Sequence, residues 1–468
     1  MATHNQRSSV SPAATRQENP FNARGVVENP GFTLSSPASL ADIHVTVRAH
    51  RLSDGAWIAE PSWWSTIGHL PCDAQRPHRG SEHHTYRSEA IEAALNKVLR
   101  RMEAQLGASA RVAPWSAHLA ALRTWARQAI HEVRRNDEEL PLRGHTVIDL
   151  CSGGLGGFGL GLSSLGAQIT LACEIDPEAR TMYEQNARPG RMHDDLCTLD
   201  GTKLSCDILT LGLLCQAFSK AGLHRGFADP VLANVYAHSL RLLRQVDAKA
   251  VIIECAPELL TQDGGADAQQ LREELMRAGF RVQHRTLDAS GFEVPQCRKR
   301  SFIVATRNEL SCDNLIGYLF PEEKPCTTCV ADILQPAVPS SLAAGDFLLD
   351  KAEPSTRSAR RERIGFIRSA KTRKLMKSQG YRLMSTKGLA ATLTASGGGR
   401  GAGTGVYYID GGARKLEPRE AARLQGLPEW ATVHPTRSHA IKHAGNAVAV
   451  PLARALGRQL ASCLASGS

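Results

Sequence analysis

From residue 143 onward, short β-rich runs alternate with segments of helical periodicity, and this alternation restricts the fold more than any other feature of the chain. The spacing between the runs requires crossover connections, which bury a sheet on both faces. We therefore predict a doubly wound, mostly parallel α/β sheet of the Rossmann-like kind. The predicted strands are 146–150, 168–173, 207–211, 250–254 and 301–306.

The segment before the alternation has a different character. Residues 1–36 are rich in Ser, Asn, Pro, Ala and Arg without an apolar period, so we expect a disordered leader. Residues 37–140 predict an α+β accessory module with one hairpin and two helices. The first helix is expected to be capped by Ser88, and the second to begin near Pro114.

The remainder of the chain is expected to divide further. Residues 141–306 carry the predicted sheet. The alternation fades over 307–437, which predicts a smaller domain, and 438–468 predict a C-terminal helix that returns to the sheet.

Composition and net charge indicate the kind of binding partner and the cellular compartment. The 468 residues carry a net charge of +10 and a pI near 9.1, which favours a polyanionic partner. Twelve scattered cysteines form no disulfide framework, so a reducing compartment fits best. No apolar stretch is long enough to cross a membrane, and we expect a soluble, cytoplasmic protein with no membrane partner.

Two groups of cysteines and histidines have residue types that can bind a metal, but each also has a simpler interpretation. Cys326 and Cys329 have ligand spacing, but no second pair lies nearby, so ordinary loop thiols are favoured. A polar surface loop is likewise favoured over a zinc site for the second cluster, and we predict no metal. That cluster comprises His69, Cys72, His78, His83 and His84.

The chemistry-bearing residues stand at the ends of predicted strands. Cys215 follows one apolar run, and Glu254 ends the next. Arg298 and Arg300 lie in a turn before the last strand. Ligands of open α/β sheets bind at the carboxyl ends of the strands. A thiol, a carboxylate and two guanidinium groups there indicate covalent catalysis on an electron-poor ring.

A glycine-rich turn after the first strand predicts a nucleoside-bearing cofactor. Its glycines, which begin at Gly153, permit positive φ and a close approach of a ligand. Glu174 ends the next strand and can accept both hydroxyls of a ribose. Asp195 could reach an adenine amine. The alternative is a tight packing turn with solvated acids, but Glu174 at the neighbouring strand end favours the cofactor site.

With these residues in order, the chain resembles the DNA (cytosine-5)-methyltransferase family over roughly 143–460. The resemblance rests on segments that match the family's cofactor, catalytic and closing motifs in their usual linear order. These are 149–158, 174–176, 195–196, 212–219, 254–256, 296–300, 414–426 and 445–448.

The resemblance implies a DNA cytosine-5 methyltransferase that uses S-adenosylmethionine. Cys215 would attack C6 of a cytosine flipped out of the helix, and Glu254 would hold the N3 edge of the base. Arg300 would contact the base O2, and Arg298 would support that group or a phosphate. Residues 307–437 would then be a target-recognition domain.

The resemblance also assigns binding residues. The implied cofactor contacts are Asp149, Ser152, Gly153, Gly156, Gly157, Glu174, Ile175, Asp195 and Asn446. The expected DNA contacts are Gln216, Ser219, Thr392, Arg360, Arg361 and Arg363, the last three belonging to a basic run in which phosphate contact is favoured over a solvated helix face.

The chain departs from the family pattern at three positions. Leu214 replaces the proline before the nucleophile, Cys255 replaces the asparagine after Glu254, and Cys151 replaces an aromatic residue in a loop one residue longer than usual. These changes concern the shape of the site rather than the atoms that make bonds.

The expected partner is double-stranded DNA, in a prokaryotic restriction–modification or stand-alone setting, with a cognate restriction endonuclease as a further partner and a monomeric state. Two alternatives stay open: a tRNA cytosine-5 methyltransferase of the same family, and a catalytically decayed, DNA-binding regulator. The basic run favours DNA over tRNA.

Overall fold

The structure is a computed structural model of the full chain. It describes residues 32–36, 43–52, 54–65, 73–74, 82, 84–106, 115–213, 230–310, 318–336, 338–377, 381–395 and 403–465.

The chain forms two compact units. The N-terminal unit consists of residues 1–140 together with 428–430, and the larger unit consists of 141–427 and 431–468. The N-terminal unit is therefore built from two separate stretches of sequence.

Within its described residues, the N-terminal unit is a four-stranded antiparallel sheet with two helices. Alternate residues of the second strand, including Val45 and Val47, are buried, as the period-2 pattern predicts. The elements are β1 Phe32–Ser35, β2 Ile43–Arg51, β3 Trp57–Ser65, β4 Asp73–Ala74, α1 Arg87–Leu106 and α2 Trp115–Arg135.

The segment 428–430 is held by polar groups of this unit. The indole Nε1 of Trp430 donates to Glu92 Oε1 at 3.0 Å, and Trp430 is 1% exposed. The Glu429 carboxylate accepts a hydrogen bond from Arg100 Nε at 3.0 Å, and the Glu429 backbone N–H donates to Asn96 Oδ1 at 2.8 Å. Three residues that are distant in sequence thus complete the interior of the N-terminal unit.

Two expectations for this part of the chain are corrected. The end of the predicted leader forms a strand, because β1 pairs with β2. Ser88 does not cap α1, which begins one residue earlier at Arg87. The Ser88 backbone N–H instead donates to the Asp137 carboxylate at 2.9 Å, so a residue 49 positions away stabilises the first turn.

The larger unit contains, in its described residues, a seven-stranded sheet of order β10-β11-β9-β8-β5-β6-β7. Strands β5 to β9 pair in parallel, whereas β10 and β11 are antiparallel to their neighbours. The strands are β5 Thr146–Leu150, β6 Gln168–Cys173, β7 Met192–His193, β8 Ser205–Gly212, β9 Asp247–Cys255, β10 Phe280–Asp288 and β11 Lys299–Arg307.

The predicted doubly wound sheet is confirmed, with helices on both faces. Phe158 and Tyr183 pack on one face with the C-terminal helix, while Leu240 and Leu271 pack on the other. The fifth predicted strand, 301–306, runs antiparallel rather than parallel. The helices are α3 Gly157–Ser163, α4 Pro177–Ala187, α5 Pro230–Gln245 and α6 Ala266–Arg277.

A second, smaller sheet follows in sequence. Its described strands are β12 Phe347–Leu349, β13 Arg363–Ile367, β14 Arg382–Met384, β15 Val406–Ile409 and β16 Gly412–Lys415, in sequence order across the sheet. Three helices end the chain: α7 Pro418–Arg423, α8 Arg437–Asn446 and α9 Val450–Ala465.

The described cysteines are mostly free thiols. Eight of them, including Cys326 and Cys329, are free, and Cys463 is disulfide-bonded. Among the described helices, none combines the length and hydropathy that a membrane span requires.

Candidate active site

The glycine-rich loop joins β5 to α3 through left-handed backbone. Cys151, Gly153 and Gly156 have φ of 52°, 65° and 66°. A side chain at Gly157 would place its Cβ 2.2 Å from the Val448 carbonyl oxygen, so the chain before α9 packs directly on the loop. Cys151 is the non-glycine residue of the loop held in this region, which costs about 1 kcal/mol.

Glu174 connects this loop to the end of β6. Its carboxylate accepts hydrogen bonds from the backbone N–H groups of Gly153 and Asp176 at 2.9 and 3.0 Å. A carboxylate has about four lone-pair positions, so acceptor capacity remains for a ligand. Next to it, Ile175 is 71% exposed, and the buried Ser152 hydroxyl has no hydrogen-bond partner. An exposed aliphatic face and an unsatisfied hydroxyl are features of a ligand-binding surface.

Asp149 fixes the start of the loop from inside the protein. Its carboxylate accepts hydrogen bonds from Thr210 Oγ1 at 2.6 Å and from the Tyr183 hydroxyl at 2.8 Å. Burial raises the pKa of Asp149 to about 6, although these hydrogen bonds oppose the shift. The carboxyl group thus links β5, β8 and α4.

The end of α8 lies against the same loop. A Cβ on Gly154 would lie 2.8 Å from the His443 ring, which shows how closely α8 approaches. Asn446, the last residue of α8, is exposed. Asp195, after β7, is half-buried and accepts the Cys197 N–H at 2.8 Å.

An ion pair between a buried carboxylate and a partly buried guanidinium occupies the neighbouring strand ends. Glu254, 4% exposed at the end of β9, lies 2.9 Å from Arg300 Nε on β11. Glu254 is in register with Gly212 at the end of β8, and its carbonyl accepts the Leu213 N–H at 3.0 Å. A carboxylate and a guanidinium are therefore fixed beside the strand that leads to Cys215.

Arg298 is held by backbone carbonyl groups. Its guanidinium donates to the carbonyl oxygens of Leu393, Gly445 and Ala447 at 3.1, 3.0 and 2.9 Å, and the residue is 2% exposed. The resemblance implies that Arg298 supports the group at the base O2 or a phosphate, and that role stays a prediction. The side chain ties the turn before β11 to the end of α8.

The predicted catalytic thiol is not among the residues that the structure describes. Cys215, Gln216 and Ser219, with Leu214, lie outside the described residues, which resume at Pro230.

Comparison with known proteins identifies the family. The family described as C-5 cytosine-specific DNA methylase matches residues 145–462. The chain belongs to this family. It is a DNA cytosine-5 methyltransferase.

The alignments with individual relatives cover most of each relative's length. The Type II methyltransferase M.HhaI of Haemophilus parahaemolyticus is 32% identical over 69% of this chain and 96% of that protein. The Type II methyltransferase M.HpaII of Haemophilus parainfluenzae is 29% identical over 67% of this chain and 88% of that protein. The solved structure of the Entamoeba histolytica methyltransferase EhMeth, 16% identical, covers 68% of this chain and 97% of its own with a TM-score of 0.50, a likeness of fold.

One departure from the family pattern has a structural setting. Cys255, where the family has asparagine, is 1% exposed, and its thiol donates to the Ser301 carbonyl at 3.6 Å. The substituted residue thus joins β9 to β11 beside Glu254. An apolar, weakly hydrogen-bonding side chain fills this position.

The basic run divides into paired and unpaired residues. Arg360 and Arg361 are exposed and, within the described part of the chain, make no ion pair. Arg363 is paired with Asp350 and lies over the Phe366 ring at 4.3 Å. The run is also not helical, because Arg363 begins β13.

Thr392 lies close to the Arg298 turn. Its hydroxyl donates to the Cys297 carbonyl at 2.7 Å, and it is half-buried. Of the earlier zinc candidates, His84 forms a backbone bridge with Trp57, and the other four lie outside the described residues.

Sequence reasoning missed the residues that support the site. Thr210 and Tyr183 hold Asp149, and Gln296 bridges the Leu424 carbonyl at 2.7 Å and the Leu393 N–H at 2.9 Å. Gln296 is fully buried, and its place at the head of the arginine turn was the available signal. The roles of Thr210 and Tyr183 had no local signal.

Proposed function

We propose that the protein methylates C5 of a flipped cytosine in double-stranded DNA through a covalent adduct of Cys215. The observation that carries the proposal is the Glu254–Arg300 pair, with its buried carboxylate, beside the strand that leads to Cys215. A buried carboxylate paired with a guanidinium can recognise a polar ring edge, because water competes weakly for the carboxylate there.

The residues at the loop fit S-adenosylmethionine. The Glu174 carboxylate has acceptor positions for the ribose hydroxyls, Ile175 offers an exposed face for the adenine, and the Ser152 hydroxyl lacks a partner. Bound there, the cofactor would supply an electrophilic methyl group. Gly153 and Gly156 would let the backbone approach it, while Asp195 and Asn446 would complete the pocket.

Asp149 and Gly157 would act by position rather than by contact. Asp149 is enclosed by protein partners, and Gly157 allows Val448 to lie against the loop. We assign Arg298 the same kind of role, since its hydrogen bonds go to carbonyl oxygens of the protein.

The reaction follows from the groups assembled. The Cys215 thiolate adds to C6 and breaks the C5=C6 π bond, whose electron pair forms a C4=C5 enamine that is nucleophilic at C5. Glu254 shares a proton with N3 and Arg300 donates to O2, which stabilises the charge that develops on the ring. After C5 takes the methyl group it loses its proton to a base, the C6–S bond breaks, and the thiolate is regenerated. Flipping the base out of the helix costs a few kcal/mol.

The DNA-facing residues are also proposals. Gln216, Ser219 and Thr392 would grip the flipped nucleotide, and Arg360 and Arg361 would contact phosphates. Because the relatives are named as Type II methyltransferases, we propose a sequence-specific enzyme that acts as a monomer and is paired with a restriction endonuclease.

Transfer of a labelled methyl group to DNA and to tRNA tests this function. We expect label in DNA, at cytosine C5, and none with the Cys215→Ala variant. DNA containing 5-fluorocytosine should trap a stable adduct with the wild type, because fluorine cannot leave as the C5 proton does. Label in tRNA alone, or transfer by Cys215→Ala, would refute the proposal.

A further inference from the structure

A carboxylate and two imidazole rings converge where α4 begins. Glu178 lies in the first turn of α4, His434 precedes α8, and His439 is in the first turn of α8. Their ligand atoms, one from each side chain, all lie within 4.8 Å of one another. We refer to these three residues as the Glu178 cluster. The methyl-transfer mechanism makes no use of it.

The ligand atoms of the Glu178 cluster lie close enough together to approach one metal ion. Two ligands held about 2.0–2.1 Å from a tetrahedral ion lie roughly 3.3–3.5 Å apart. Glu178 Oε2 is 3.6 Å from His434 Nε2 and is also in contact with His439 Nδ1. The Glu178–His434 distance is near this value, whereas Glu178 Oε2 and His439 Nδ1 lie closer together than two ligands of one ion. They would have to separate by about an ångström for all three atoms to surround it.

The His434 ring can adopt the tautomer that metal binding requires. Its Nδ1 accepts the Thr436 N–H at 3.0 Å and also lies 3.4 Å from the Thr436 carbonyl oxygen. With a metal on Nε2, the ring proton would move to Nδ1, which would give up the Thr436 N–H and donate to that carbonyl instead. A backbone carbonyl on the second nitrogen is the usual support for a metal-bound histidine.

A third imidazole lies beside the cluster. His443, one turn after His439 on α8, is 4% exposed, and its Nε2 has no hydrogen-bond partner. Its ring centroid is 5.9 Å from that of His434. A buried imidazole nitrogen without a partner is costly unless a ligand or water satisfies it, so an unsatisfied polar group lies beside the cluster.

The surrounding charge permits a cation. The ammonium group nearest in sequence, on Lys442, lies 2.7 Å from the Asp176 carboxylate, which balances its charge. The Glu178 side chain is 46% exposed and the His439 side chain 41%, so water can complete the coordination of an ion.

We propose that Glu178, His434 and His439 bind a divalent transition-metal ion of the zinc class. One carboxylate and two imidazoles are a ligand set that suits zinc, with the remaining positions open to water. The ion would tie the beginning of α4, which follows Glu174 and Ile175, to α8. Its role is structural, because it lies outside the methyl-transfer chemistry.

Zinc titration of untagged, chelator-treated full-length protein tests the site. We expect the wild type to bind Zn²⁺ at this site with a dissociation constant of roughly 1 μM or tighter. Glu178→Gln and His439→Asn should each weaken that binding at least about tenfold. The matched control is His284→Asn, which changes an exposed histidine on β10 and should bind zinc like the wild type.

A measurement on the unmutated protein covers the case in which a variant fails to fold. Zn²⁺ should protect His434 and His439, but not His284, from carbethoxylation by diethyl pyrocarbonate, as read by mass spectrometry. If other residues bound the zinc, the measured affinity would be the same in the wild type and in all variants. Equal affinities in wild type, Glu178→Gln and His439→Asn, an equal loss in the control, or no protection of His434 and His439 would each overturn the proposal.

Discussion

At the scale of single residues, burial determines how two carboxylates behave. Asp149 is enclosed by neutral hydroxyls, whereas Glu254 is enclosed with a guanidinium. Burial without a countercharge favours the protonated form, so the pKa of Asp149 rises to about 6. Glu254 instead has the Arg300 guanidinium 2.9 Å away.

The raised pKa of Asp149 predicts a pH-dependent stability difference. The folded pKa exceeds the unfolded value of 3.8, so this group's stabilising contribution is complete below about pH 4 and is lost as the pH rises through about 6. Relative to the Asp149→Asn variant, the wild type should lose about 2 kcal/mol of unfolding free energy between roughly pH 4.5 and roughly pH 7.5. Urea unfolding of both proteins measures this, and a difference independent of pH would contradict it.

Glu254→Gln should slow methyl transfer on the order of a hundredfold or more. The amide keeps the shape of the side chain but cannot share a proton with N3 or balance Arg300. The affinity for S-adenosylmethionine should change little. Single-turnover transfer and cofactor titration separate the two effects. Glu273→Gln on α6 is the control, and a Glu254→Gln enzyme as fast as that control would mean that Glu254 is only structural.

At the scale of elements, local pattern predicted the strands but not their direction. Runs of buried residues identified β5, β6, β8, β9 and β11 within a few residues of their ends. Direction depends on connections, and β10 went unpredicted because its centre, which includes His284 and Arg285, is exposed and polar at the sheet edge. The Arg298 contacts were unpredictable for the same reason, since residues about 95 to 150 positions away supply the carbonyls.

The arginines at and just before the start of β13 should differ in how much they contribute to DNA binding. Replacing Arg360 and Arg361 together with alanine should weaken binding to all DNA sequences and lower the salt slope by about one unit for each lost phosphate contact. Arg363→Ala should change the slope less, because Asp350 already balances that charge. Binding measured over a series of salt concentrations gives the slopes. Equal slopes for the double variant and the wild type would show that both side chains face solvent.

The link between β16 and α7 depends on one buried pair. Arg414 contacts both carboxylate oxygens of Glu420 at 2.7 and 2.8 Å, and both residues are almost fully buried. Glu420→Gln leaves the guanidinium buried without its countercharge, which should cost about 3–5 kcal/mol of unfolding free energy. Denaturant unfolding tests this. The control, Glu274→Gln, breaks an exposed pair with Arg244 and should have little effect.

At the scale of the whole molecule, the N-terminal unit depends on a residue from far along the chain. Trp430→Ala removes a fully buried indole and its hydrogen bond to Glu92, which should cost that unit about 3–5 kcal/mol. Trp430→Phe keeps a ring and should cost less, about 1–3 kcal/mol, for the lost hydrogen bond. Hydrogen exchange in α1 and α2 reports the loss, and unchanged exchange in Trp430→Ala would contradict it.

Because residues 428–430 belong to the N-terminal unit, this unit cannot be transferred between proteins as one contiguous stretch of sequence. A chimaera that exchanges only residues 1–140 with those of a relative would retain this chain's Glu429 and Trp430 opposite foreign side chains in place of Asn96, Arg100 and Glu92. A functional graft must therefore carry both stretches. Substitutions in α1 and in the tripeptide should accordingly co-vary among relatives that share the unit.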